Sequence, residues 1–147
     1  MIPVRLKISG FLSYRNPVEI DFTGFDVACI SGHNGAGKST LLDAMTWALF
    51  GQARRRDDAI INSRAGTTAE VVFTFDYENN RYRVQRVKTA NKPTLLEFAV
   101  LAPDGKWRPL TEHSLRETEE RIVQTLRMDY ETFTNASFFL QGRADQF

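Results

Sequence analysis

The residues with chemistry to offer lie in one run, Gly32-His33-Asn34-Gly35-Ala36-Gly37-Lys38-Ser39-Thr40. The run fits G-x-x-x-x-G-K-[ST], a pattern that is informative when a strand leads in and a helix leads out. A polyphosphate carries several negative charges that must be met at close range. Glycines let the backbone wrap tightly, so that Gly32, Gly35 and Gly37, with Asn34 and Ala36 between them, turn successive N–H groups inward. Lys38 adds a full positive charge toward the β- and γ-phosphates. The Ser39 hydroxyl is the expected ligand of Mg²⁺, and Thr40 can donate to the α-phosphate. A following helix would contribute the partial positive charge of its amide end. The spacing therefore predicts binding of a nucleoside triphosphate with its metal.

Both flanks agree with that reading. Val27-Ala28-Cys29-Ile30 is a short apolar run that reads as a buried strand, and Lys38 to about Phe50 reads as a helix. Leu41, Leu42, Ala44, Met45, Trp47, Ala48 and Leu49 make this helix apolar on more than one side. It should pack beneath a sheet and stop at Gly51. Upstream, Pro3–Ser9 and Val18–Phe22 alternate apolar and polar residues, as half-buried strands do. Gln52 to Gly66 reads as a polar excursion with one helical turn at Ala59-Ile60-Ile61.

Thr68–Tyr77, Arg81–Lys88 and Leu95–Leu101 then follow as strands of an antiparallel meander, with a short fourth piece at Lys106-Trp107-Arg108. Glu78-Asn79-Asn80 and Thr89 to Pro93 supply the turns. Ser114-x-x-Glu117 is a capping box that opens a helix to about Arg127, with Leu115, Ile122 and Leu126 on one face. Asp129 to about Ala136 predicts a further short helix, and Ser137-Phe138-Phe139-Leu140 leads apolar into Gln141-Gly142. The expected fold class is α/β: the N-terminal lobe of a P-loop ATPase, with a mixed sheet, an antiparallel β meander and few helices, as a single unit over residues 1–147.

A competent triphosphatase also needs an acidic residue at the end of a second buried strand, to hold the metal and orient water. Val71-Val72-Phe73-Thr74-Phe75-Asp76 has the look of one. Yet Val71, Phe73, Phe75 and Tyr77 share a face, which puts Asp76 on the other. The next strand also follows within a few residues, where a parallel partner would need a crossover. Asp76 reads as a hairpin residue, and the chain as half of a site.

Composition is that of a globular domain: 147 residues, 42% hydrophobic and 25% charged, with net charge +1. No apolar run approaches membrane-spanning length and no signal-peptide pattern opens the chain, so a cytoplasmic protein without a membrane partner is expected. The single cysteine, Cys29, excludes an internal disulfide and reads as core filler. Residues 51–110 carry eleven basic against seven acidic residues, a mild bias toward an anionic partner.

Five features in order resemble the N-terminal segment of the SMC-like DNA-repair ATPases of the Rad-fifty/SbcC type, an ABC-class family. They are Gly10-Phe11-Leu12-Ser13-Tyr14, the Asn34 to Thr40 loop, Leu41-Leu42-Asp43-Ala44, Tyr82-Arg83-Val84-x-Arg86, and Phe138-Phe139-Leu140-Gln141-Gly142. The resemblance implies ATP and Mg²⁺ as cofactors. It makes Gln141 the Q-loop glutamine, which meets the metal and the attacking water, and puts Arg64, within Asn62-Ser63-Arg64, near the adenine. It also implies four partners: a C-terminal lobe of the same ATPase beyond a long coiled coil, a second copy forming an ATP-sandwiched head dimer, a nuclease subunit, and double-stranded DNA. Where family members often carry arginine after the early phenylalanine, this chain has Leu12, and Tyr14 or Arg15 could take its place.

Other residues have plainer readings. His33 and His113 read as solvent-facing, and Arg54-Arg55-Arg56 and the Arg81/Arg83 face as solvated surface that could reach DNA phosphates. Two alternative functions remain at this level: a transporter's nucleotide-binding domain and a RecF-like loader. The sequence that follows Phe147 would discriminate them.

Overall fold

The computed structural model describes residues 1–11, 17–24, 35–53, 60–61 and 66–135, and for residues 35–40 it describes the backbone path. The elements are β1 (Ile2–Ser9), β2 (Val18–Asp21), a 3-10 turn (Phe22–Gly24), α1 (Gly35–Phe50), β3 (Thr68–Tyr77), β4 (Asn80–Thr89), β5 (Leu95–Leu101), β6 (Trp107–Pro109) and α2 (Leu115–Leu126). Residues 130–135 are also helical.

The six strands form one sheet in the order β2-β1-β3-β4-β5-β6. Every pairing among the described strands is antiparallel. The expected mixed sheet is thus corrected for this part of the chain, where neighbouring strands are joined by hairpins or, between β1 and β3, by a return through α1. The strand expected at Val27–Ile30, with Cys29, lies outside the described residues.

Period-two alternation sets which face is buried. Leu6 and Ile8 of β1, Val71, Phe73 and Phe75 of β3, Tyr82 and Val84 of β4, and Leu96 and Phe98 of β5 all point to the core. Rings run in series along β3, from Phe73 to Phe75 at 5.2 Å, and then across the strands, from Phe75 to Tyr82 at 5.7 Å and from Tyr82 to Phe98 at 5.6 Å between centroids. Such contacts add about 0.5–1.5 kcal/mol each beyond area burial. A bulge in β1 between Pro3 and Arg5 shifts the register, and Ile2 beyond it is 67% exposed.

The helices cover the inner face, with α1 against β3 and β4, and α2 against β5 and α1. Gly51 (φ 71°) ends α1 as expected, its N–H donating to the Trp47 carbonyl at 2.8 Å. Ser114 caps α2 by accepting from the Glu117 N–H at 3.1 Å.

Local expectations need four further adjustments. β2 stops at Asp21, because its carboxylate accepts from the Thr23 N–H and folds Phe22–Gly24 into the 3-10 turn. Ile60 has 3-10 geometry, but Ile61 pairs antiparallel with Phe11 rather than continuing a helical turn, and Ala59 lies outside the described residues. The last strand falls at Trp107–Pro109, one residue later than expected. In α2 the buried side chains are Thr118, Ile122 and Leu126, while Leu115 is 39% exposed. Thr118 can be buried because its hydroxyl donates to the Ser114 carbonyl at 2.9 Å and accepts from the Glu112 N–H at 3.0 Å.

Candidate nucleotide-binding site

Helix α1 opens at Gly35, inside the glycine-rich run, three residues earlier than the expected Lys38. Helix propensity counts Gly35 and Gly37 against helical structure. In the first turn, however, the amides have no intrahelical acceptor and the missing side chains leave the backbone open. Gly35, Ala36 and Gly37 therefore hold amides that the helix itself leaves without an acceptor. Lys38, Ser39 and Thr40 follow directly. No acidic residue occupies the first turn, so the turn itself brings no negative charge to the positive end of the helix.

Gly35 to Thr40 are thus the predicted site residues that the described structure brings onto one element. Gly32, Asn34, Arg64 and Gln141 lie outside the described residues, as do His33, Leu12, Tyr14, Arg15, Arg54-Arg55-Arg56, Asn62, Ser63 and the Ser137-Phe138-Phe139-Leu140 run. Among the described residues no group of three His, Cys, Asp or Glu side chains is placed to hold a metal ion.

What holds α1 in place was less visible in the sequence. Gly10 (φ 63°) passes so close to β3 that an added Cβ would sit 2.2 Å from the Thr68 carbonyl oxygen. Only glycine fits, and its turn sends Phe11 into the core, fully buried and 5.2 Å from the Trp47 ring of α1. Phe50, at the other end of the helix, meets Tyr130 and Phe133 edge-on at 6.4 and 5.7 Å. From Leu41 onward nearly every side of the helix is enclosed, including Asp43, which is 5% exposed. Thr46 is buried too, its hydroxyl donating to the Asp43 carbonyl at 3.1 Å.

Arg86, which the sequence marked only as part of the Tyr82-Arg83-Val84-x-Arg86 run without a role, is a functional candidate. It occupies an inward position of β4 and is 2% exposed, with its Nε donating to the Ala48 carbonyl at 3.3 Å and its Nη1 to Glu119 Oε1 at 2.9 Å. Burial lowers the pKa of its guanidinium, and the Glu119 charge opposes that shift. The available signal was its parity: Tyr82, Val84 and Arg86 alternate on the buried side of one strand.

The outer face of the sheet looks different from a phosphate track. Asp76 lies there as the hairpin residue expected, its two carboxylate oxygens accepting from Arg81 at 2.7 and 3.1 Å. That contact holds the Asp76 carboxyl below the usual carboxylate range. Arg5 faces Glu19 at 3.2 Å and Asp21 at 3.9 Å, and the Arg83 guanidinium lies 4.6 Å over the Trp107 ring. The arginines proposed for DNA contact on this face, Arg81 and Arg83, already have partners within the sheet. His113 is exposed, as expected. Among the described residues no helix is long and apolar enough to cross a membrane.

Comparison with known proteins agrees with the motif order. The AAA domain family matches residues 5–147. The SbcC component of the nuclease SbcCD of Deinococcus radiodurans is 35% identical over 150 residues, covering 97% of this chain and 16% of that protein. The Probable DNA double-strand break repair Rad50 ATPase of Aquifex aeolicus is 30% identical over 156 residues, covering all of this chain and 15% of that protein. The Exonuclease subunit 2 of Escherichia phage RB69 is 32% identical over 132 residues, covering 88% of this chain and 22% of that protein. The chain spans about a sixth of the length of the first two.

Proposed function

This chain belongs to the AAA domain family, among the SbcC/Rad50-type DNA-repair ATPases, and from that membership we propose that it supplies the phosphate-binding half of an ATP site. The observation that carries the reading is the start of α1 at Gly35, so that free amides, Lys38 and Ser39 open one helix that is enclosed from Leu41 onward. Gly32, Asn34, Gly35, Ala36, Gly37 and Thr40 would cradle the triphosphate, Lys38 would neutralise it, and Ser39 with Gln141 would hold Mg²⁺. Arg64 would lie toward the base. The bound metal nucleotide supplies the labile phosphoanhydride bond.

In this reading Gln141 is the catalytic residue of the chain, positioning water. The acidic residue that completes turnover comes from a C-terminal lobe, so this segment alone does not hydrolyse ATP. Asp76 does not fill that role, because it points to the outer face and is held by Arg81. Hydrolysis by the paired lobes and a second head would control the access of a nuclease subunit to double-stranded DNA. The relatives named above are break-repair ATPases and nuclease subunits, which favours this reading over a transporter domain or a RecF-like loader.

The test is Lys38→Ala in the full-length protein, with ATP affinity measured by calorimetry. A charge-assisted hydrogen bond contributes about 1.5–3 kcal/mol, which corresponds to a loss of about ten- to over a hundredfold in affinity. Unchanged affinity would show that the phosphate loop has been misassigned.

A further inference from the structure

Arg86 joins the far end of the phosphate-loop helix to a second helix. Its Nε donates to the carbonyl of Ala48, in the last turn of α1, where carbonyls lack intrahelical donors. A cation is favoured there by the helix dipole. Its Nη1 forms a charge-assisted bond of 2.9 Å with Glu119 of α2, and its Cζ lies 5.9 Å from the Trp47 ring. Among the described residues Arg86 is the buried cation, and its Nη2 is buried with no hydrogen-bond partner.

Gly51 makes room for this arrangement. A Cβ there would lie 3.0 Å from Arg86 Nη1 and 3.1 Å from Glu119 Oε1. The residue that ends α1 therefore also opens the space in which α1, β4 and α2 meet. Stability alone is a weak reason to bury such a pair, since desolvating an ion pair costs about as much as its attraction returns.

We propose that Arg86 is a coupling residue: it ties the carbonyl end of α1 to α2, so that nucleotide at the amide end of α1 alters the stability of α2. The proposal rests on the phosphate-loop reading given above. A helix of 16 residues is about 24 Å long and moves as a body, so phosphates that fix its first turn also fix Ala48. The Arg86–Ala48 contact, at 3.3 Å, is long enough to tighten, and the shorter bond to Glu119 carries the guanidinium's position into α2. Nucleotide binding therefore slows local opening of α2, a helix whose described residues lie outside the phosphate loop.

The experiment is hydrogen exchange on the full-length protein, with Mg²⁺ and a non-hydrolysable ATP analogue, followed at residues 35–40 and 115–126. In the parent, both segments exchange more slowly with the analogue, α2 by about fivefold or more, the lower end of measured couplings. In Arg86→Met and in Glu119→Ala the slowing persists at residues 35–40 and is lost at 115–126. Arg86→Met removes the buried charge while keeping apolar bulk. Glu119→Ala is a second route should the first variant fail to fold, because it removes the acceptor at a side chain that is 30% exposed, where water can reach Arg86 in its place. Slowing at residues 35–40 alone in the parent, or α2 slowing retained in either folded variant, overturns the coupling. Absence of any response at residues 35–40 in the parent overturns the phosphate-loop reading and the coupling with it.

Discussion

The positions of Gly10, Gly51 and Arg86 follow from packing around α1, the helix that carries the candidate site. Gly10 lets Phe11 reach Trp47, Gly51 ends the helix and admits the Arg86–Glu119 pair, and Arg86 bonds to the final turn. On the opposite face, the Asp76–Arg81 pair joins the ends of β3 and β4 at half-exposed positions. The folded carboxyl of Asp76 is more acidic than an unfolded one, because Arg81 hydrogen-bonds its charged form. Its contribution is therefore present above the unfolded value of about 3.9 and is lost as pH falls through the lower folded value. Asp76→Asn should cost at most about 1 kcal/mol at neutral pH, as exposed pairs do. The cost should vanish in acid, where parent and variant converge. Urea unfolding of the ATPase head at several pH values measures this, and a cost independent of pH would refute it.

Among the elements, the β3–β4 hairpin is built around a two-residue turn in which Glu78 (φ 48°) and Asn79 (φ 67°) both adopt left-handed backbone. This turn matches the twist of the strands and suits asparagine or glycine. Glu78 departs from that preference, and its 3.9 Å approach to Arg127, between exposed side chains, returns little. Glu78→Asn should therefore stabilise the head by roughly 0.5–1 kcal/mol, part of the left-handed penalty of an ordinary residue. A lowered melting temperature would mean that the Arg127 contact outweighs the backbone strain. The same hairpin carries Phe73, Phe75 and Tyr82 of the aromatic series that ends at Phe98 of β5, so its register also aligns the floor beneath α1.

For the whole molecule, the described structure is one curtain of antiparallel strands with α1 and α2 on its inner face and paired charges on its outer face. In the proposed site the phosphate loop covers one side of a triphosphate, which leaves the other side for a second head. ATP should then favour head dimerisation and ADP should not, because a ligand shifts an equilibrium only by its differential affinity for the two states. Light scattering on the reconstituted head, with both lobes present, distinguishes these outcomes under a non-hydrolysable ATP analogue and under ADP. A head that stays monomeric with the analogue verifiably bound would rule out the sandwich arrangement.

Amino-acid order alone dictated the strands of the meander, because a buried strand face repeats every second residue and the turns between those strands carry their own chemistry. Thr68–Tyr77 and Leu95–Leu101 were legible to the residue. The α1 stop at Gly51, the α2 cap at Ser114 and the outward placement of Asp76 were equally legible, all local consequences of backbone geometry and parity. Motif order was enough to reach the family, which the comparisons bear out. Other features were settled only in the folded chain. The helix starts at Gly35 rather than Lys38 because its amide end, not side-chain propensity, governs the first turn. Thr118 rather than Leu115 is buried in α2, because Ser114 and Glu112 satisfy its hydroxyl. In the sequence Arg86 stood only as the last residue of the Tyr82-Arg83-Val84-x-Arg86 run. It is buried because Ala48 and Glu119, 38 and 33 residues away in sequence, converge on it.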